Sequence, residues 1–326
     1  MTARLLVPIL FLCAACGPPK PSWQLVHSEL DGALLSVWGT SATDVWAVGG
    51  DVGMGPEVLH FDGNRWERVE TGHTGALWWV FGFEGGPIYM GGEGGAILRY
   101  EGGTFTPMTT PGTETVFGIW GASPSDVWAV GGASDATGGF AWRLDGDAWV
   151  EEPTLPAEVP TGAAIWKVQG RSANDAWLVG SNGVSLHWDG SALTPMTTGV
   201  GSSLFTVSAN EGRYAAVGGL SSGIVVENEG DGWHDVTPDP ALPGLSGVVL
   251  GDADTGFAVG AYGTVLARDG AGWHTEETDL AVDENLHAVW IDPSGGVWAV
   301  GGRTASFPLA RGVLLHRGET IVTGVE

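Results

Sequence analysis

One thirteen-residue phrase constrains this chain more than any other feature. Val37-Trp38-Gly39-Thr40-Ser41-Ala42-Thr43-Asp44-Val45-Trp46-Ala47-Val48-Gly49 returns, with variation, along almost all of the 326 residues. Gly121 to Gly131 and Gly170 to Gly180 repeat its last eleven residues closely. The glycine that ends each copy falls at Gly49, Gly91, Gly131, Gly180, Gly218, Gly260 and Gly301, an average step of 42 residues. A unit of that length cannot bury its apolar face alone, so successive units must stack on one another.

Each unit holds four short strand-like runs. The first spans Leu34 to Trp38 and its relatives, and its fourth position is always β-branched: Val37, Val80, Ile119, Val168, Val207, Val248 and Val289. A strand covered on both faces favours such side chains. The second run is the Trp-Ala-Val-Gly phrase. A third ends in an Asp-Gly turn at Asp62-Gly63, Asp189-Gly190 and Asp269-Gly270. The fourth is marked by Trp66, Phe105, Trp149, Leu193, Trp233 and Trp273. No window shows a sustained 3.6-residue apolar period, and the chain's 55 glycines would each cost a helix about 1 kcal/mol. The pattern predicts an all-β fold, a seven-bladed β-propeller of four-stranded antiparallel blades over residues 23–326. Trp23-Gln24-Leu25-Val26 reads as a fourth strand without its first three and is expected to complete the last blade. Glu319-Thr320-Ile321-Val322 competes for that place but lacks the aromatic.

Gly251 to Leu266 resembles the repeat of photosystem-assembly-factor-type and related Asp-box, or sialidase-like, propellers. The Trp-Gly and Asp-Val-Trp-Ala-Val-Gly form is similar to repeats of bacterial surface lipoproteins. The resemblance covers about residues 23–318 and implies the fold. The sialidase likeness would further imply three arginines on a carboxylate, a tyrosine nucleophile with a carboxylate partner, and an Asp acid/base. Arginines such as Arg99, Arg171 and Arg213 and the tyrosines Tyr89, Tyr100, Tyr214 and Tyr262 are present, but no motif assigns any of them.

The N-terminus carries an address. Arg4 precedes the apolar run Leu5 to Leu12, which is too short to span a bilayer, and Cys13-Ala14-Ala15-Cys16-Gly17 follows. This arrangement resembles the bacterial lipoprotein signal, which implies cleavage after Ala15 and lipid (palmitate among its acyl chains) on Cys16. Residues 1–15 then form the signal peptide and residues 16–22 a lipidated cysteine with a stiff Pro-rich tether. Gly17, in place of Asp, directs the expectation to the outer membrane.

Net charge and side-chain inventory limit the partners. A charge of −25 leaves no basic footprint for a phosphate backbone, so nucleic acid is not expected. Both cysteines lie in the leader, and no spacing supplies a cofactor or metal set. Asp252-Ala253-Asp254-Thr255-Gly256 offers oxygens at alternate positions but no acidic residue at its far end, as a calcium loop needs. His60, His187 and His316 share one repeat position, which indicates packing rather than ligation, and Asp44, Asp126 and Asp175 share a turn position.

Two sets of residues are candidates for contact. Loops between second and third strands are expected on one face of the ring, together with the connectors between blades. From the phrase-ending glycine, 9 residues lead to Asp189 and to Asp269, but 13 to Asp62, 14 to Asp145 and 16 to Arg317. The long loops, Asp51 to Glu57, Ala133 to Gly139 and Arg303 to Arg311, therefore share a face, with Arg303, Phe307 and Arg311 as candidates on it. At the channel, the second and third positions of the first strands vary, and Trp78, Trp79, Trp166, Lys167 and His287 are the candidates there. The expected function is a lipid-anchored extracytoplasmic module binding a protein or glycan. A glycan-active hydrolase and a purely structural surface protein are the alternatives.

Overall fold

The computed structural model describes residues 21–133, 138–252 and 254–325. Within them, seven four-stranded antiparallel sheets follow one another around a ring. The inner strands of blades one to seven are Leu34–Ser41, Leu77–Gly82, Thr115–Ser123, Ile165–Ser172, Leu204–Ala209, Leu245–Leu250 and Asn285–Ile291. Each touches its neighbours on both sides, and blade seven meets blade one. The seven-bladed propeller expected from the repeat is present, with helix limited to single 3-10 turns. The leader with Cys16, residues 134–137 of the Ala133 to Gly139 loop, Ala253 and Glu326 lie outside the described residues.

Blade seven closes the ring with both ends of the chain. Its order runs from Asn285–Ile291 through Val297–Arg303 and Ala310–Gly318 to the N-terminal strand Ser22–Gly32. Trp23 pairs with Arg317 and Leu25 with Leu315. The Trp23 ring is buried, edge-on to Phe257 of blade six at 6.2 Å, and its indole N–H reaches Glu276 at 3.3 Å. Arg317 binds the same carboxylate at 2.8 Å, so one Glu276 ties both chain ends to blade six. Ile321 forms no strand, and its backbone exchanges hydrogen bonds with the Gln24 side chain instead.

The repeated Asp and His do structural work. His60 Nε2 donates to the Asp44 carboxylate at 2.7 Å, and its ring stacks on Trp46 at 4.1 Å. His187 repeats the arrangement with Asp175 at 3.0 Å and Trp177 at 4.7 Å. Blade three substitutes Arg143, which pairs with Asp126 and lies over Trp128 at 4.7 Å. In these three blades a carboxylate thus fixes a planar imidazole or guanidinium against the second-strand tryptophan, combining a hydrogen bond with aromatic packing. The arginines Arg99, Arg171 and Arg213 pair with Glu101, Asp175 and Glu227 in blades two, four and five.

Candidate functional site

The inner strands share an irregularity that builds the site. In every blade the register with the second strand slips at the second position, so one residue has no partner: Leu35, Trp78, Phe117, Trp166, Phe205, Ser246 and His287. A β-bulge bends its strand and re-aims the extra side chain. Repeated seven times around an axis, the bulge collects those side chains at one end of the channel. Six of the seven, all but Leu35, line a cavity of about 430 Å³. Leu35 contributes its carbonyl, which lies 2.6 Å from His287 Nδ1.

Four of these side chains form a continuous aromatic wall. Trp78 meets Phe117 edge-on at 5.2 Å, Phe117 meets Trp166 at 4.7 Å, and Trp166 meets Phe205 at 6.1 Å. His287 closes the arc against Trp78 at 5.9 Å. Burial holds the His287 imidazole down to about 4, with the Lys167 charge adding to that effect and the Leu35 carbonyl opposing it.

Lys167 lines the same cavity from the position after the bulge. It is only 5% exposed, donates from Nζ to the Phe117 carbonyl at 2.7 Å, and lies over the Trp79 ring. Burial pushes its amine well below the ordinary lysine value. Trp79 lines the opposite end of the channel, a second cavity of about 730 Å³, and donates its indole N–H to the Ile119 carbonyl at 2.9 Å. Lys167 and Trp79 in contact therefore stand at the divide between the two ends, beside Thr206, which lines both.

The mouth of the aromatic cavity lies on the loop-rich face. Loops between second and third strands reach it with Glu93, Gly219 and Leu220, Ala261, and Thr304, Ala305 and Phe307. The sequence treated the Arg303 to Arg311 loop and the channel aromatics as separate candidates, and the fold joins them through Phe307. The two arginines do not follow. Arg303 and Arg311 line a neighbouring groove of about 530 Å³ with Ser28, Glu29, Asp283 and Glu284. Arg311 pairs with Glu284 at 2.7 Å, and Arg303 donates to the Pro308 carbonyl of its own loop.

Sequence reasoning named Phe307 but missed the rest of the rim. Leu220, Tyr262 and Phe307 are 86%, 76% and 75% exposed, and all stand on loops of this face. Met54 and Val52, on the corresponding loop of blade one, are also exposed. Tyr262 has φ 57° and ψ 40°, a left-handed conformation. Blades two and four place Gly94 and Asn182 at the equivalent turn position, residues that tolerate this region. A tyrosine there was the signal available in the sequence, because an aromatic is the wrong residue for the backbone alone.

No family model and no curated protein matches the sequence. Solved structures do match the fold. YCF48 from Cyanidioschyzon merolae superposes with a TM-score of 0.69 at 16% identity, covering 91% of this chain and 98% of that one. A streptogramin B lyase gives 0.70 at 14% identity, over 91% and 98% of the two chains. A YCF48 bound to a D1 peptide gives 0.66 at 13%, over 93% and 100%. At these identities the likeness is one of fold.

Proposed function

We propose that this chain is a membrane-anchored, extracytoplasmic propeller that binds a protein partner on its loop-rich face. One observation carries the reading: Leu220, Tyr262 and Phe307 hold large apolar side chains in water around the mouth of an aromatic cavity. Exposed apolar tips on a rigid scaffold are favourable only when something covers them. A YCF48 propeller bound to a D1 peptide supports protein binding as a use of this fold. The anchor rests on the Leu5 to Leu12 run and on Ala14-Ala15-Cys16-Gly17. Among the described residues no helix is long and apolar enough to cross a membrane.

The hydrolase alternative has less behind it. Glu93 is the one carboxylate among the described residues lining the cavity, and its Oε2 accepts the Ala76 N–H at 3.1 Å. Glycoside hydrolysis through two carboxylates needs a second within about 10 Å on the sugar's other side. No arginine or tyrosine among the described residues lines the cavity either.

The test is crosslinking in intact membranes followed by purification, comparing the natural chain with the combined Leu220→Ser, Tyr262→Ser and Phe307→Ser variant. A specific partner band lost in the variant, with melting temperature retained, supports the reading. An unchanged partner set would overturn the assignment of the face.

A further inference from the structure

The floor of the cavity holds an amine with no carboxylate partner among the described residues. Of the thirteen Lys and Arg residues only Lys20 and Lys167 are lysines, so Lys167 is the only lysine among the described residues. The arginines around the ring meet carboxylates: Arg268 and Arg213 share Glu227, and Arg317 takes Glu276. Lys167 has the Phe117 carbonyl and the Trp79 ring as partners, and no carboxylate within ion-pair distance among the described residues. An ammonium buried without a counter-ion is strongly unfavourable, and a carbonyl and an aromatic face replace only part of its hydration.

The walls beside Lys167 are aromatic, made by Trp78, Phe117, Trp166 and Phe205. Lys167 Nζ has further protons to donate beyond the one given to Phe117. It is the one lysine or arginine among the described residues lining the cavity. The complement of this site is an apolar ring that carries an acceptor with negative charge. The volume of about 430 Å³ suits a small molecule.

We propose that the central cavity is a binding site for a small aromatic carboxylate, with Lys167 as its counter-ion and the Trp78, Phe117, Trp166 and Phe205 wall as the seat of its ring. Entry is from the loop-rich face, between Leu220 and Phe307. The carboxylate occupies the space next to Lys167 and supplies the missing negative charge. A neutral amide of the same shape lacks that charge and forms no ion pair with Lys167. The site does not depend on the protein-binding reading, because it uses the floor and walls of the cavity and needs no partner.

Calorimetric titration of the full chain with phenylacetate and with phenylacetamide tests this. Phenylacetate is expected to bind roughly tenfold or more tighter than the amide, the difference a charge-assisted bond commonly supplies. In Lys167→Met that preference disappears, with the circular dichroism spectrum and melting transition showing that the variant is folded. Equal affinities for acid and amide on the natural chain, no binding of either, or a preference that survives in a folded Lys167→Met would overturn the proposal. The acid-to-amide comparison stands without the variant, and partner capture plays no part in it.

Discussion

The amine of Lys167, carried by blade four, stands 3.2 Å from the centroid of the Trp79 ring in blade two. Between them lies blade three, which is crossed at Gly118. A Cβ there would come within 3.2 Å of Lys167 Cα and Cδ and of Val130 Cγ2. Close approach, rather than a positive φ, favours glycine at this point. Gly118→Val is expected to push the lysine stem aside and lower stability by about 1–3 kcal/mol, the usual range for overpacking. Chemical denaturation measures that loss, and tryptophan fluorescence should report the changed surroundings of Trp79.

Ring closure through Trp23 predicts a large effect far from the cavity. The ring is buried against Phe257, and its N–H shares Glu276 with Arg317. Trp23→Ala should cost about 3–5 kcal/mol, as removal of a buried tryptophan generally does. Equilibrium unfolding would show the loss. A change below 1 kcal/mol would mean that the rest of the Ser22–Gly32 strand closes the ring unaided.

His287 makes stability depend on pH. Its folded value of about 4, set first by burial, lies below the ordinary 6.5. Between these values the unfolded chain binds a proton that the folded one does not, so stability rises with pH. The contribution is fully present above about 6.5 and is lost as pH falls towards 4, on the order of 3 kcal/mol in all. Denaturation at pH 7 and pH 4.5 should show that slope, and His287→Asn should flatten it.

Tyr262 should separate stability from binding. Its backbone occupies the left-handed region, where a bulky side chain costs about 1–2 kcal/mol. Tyr262→Asn adopts the residue found at position 182 and is expected to raise stability by up to about 1 kcal/mol. The same change removes an exposed aromatic ring from the rim, so partner crosslinking should weaken while the melting temperature rises.

The proposed anchor predicts a change of location. Cys16→Ser should abolish metabolic palmitate labelling and move the chain from the membrane to the soluble fraction. Labelling that persists in the variant would refute lipid attachment at this residue.

The blade count, the four strands of each blade and the use of Trp23 to close the ring were all legible in the sequence. Each is written in local recurrence: a β-branched fourth position, an Asp-Gly turn, or an aromatic at a fixed offset repeats wherever the same packing is needed. The histidines and aspartates were legible for the same reason, since His60 and His187 meet Asp44 and Asp175 within their own blades.

The cavity obeys a different logic. Trp78, Phe117, Trp166, Phe205 and His287 come from five blades and occupy the positions where the repeat varies, so no recurrence marks them as a group. Only the closed ring, with a bulge at the same step of every inner strand, turns them towards one axis. It also sends Phe307 to the cavity mouth while leaving Arg303 and Arg311 on the adjoining groove, three residues that the sequence holds within one loop. Repetition specifies what each unit does to its neighbours, whereas the site is the sum of their differences and exists only once the circle is complete.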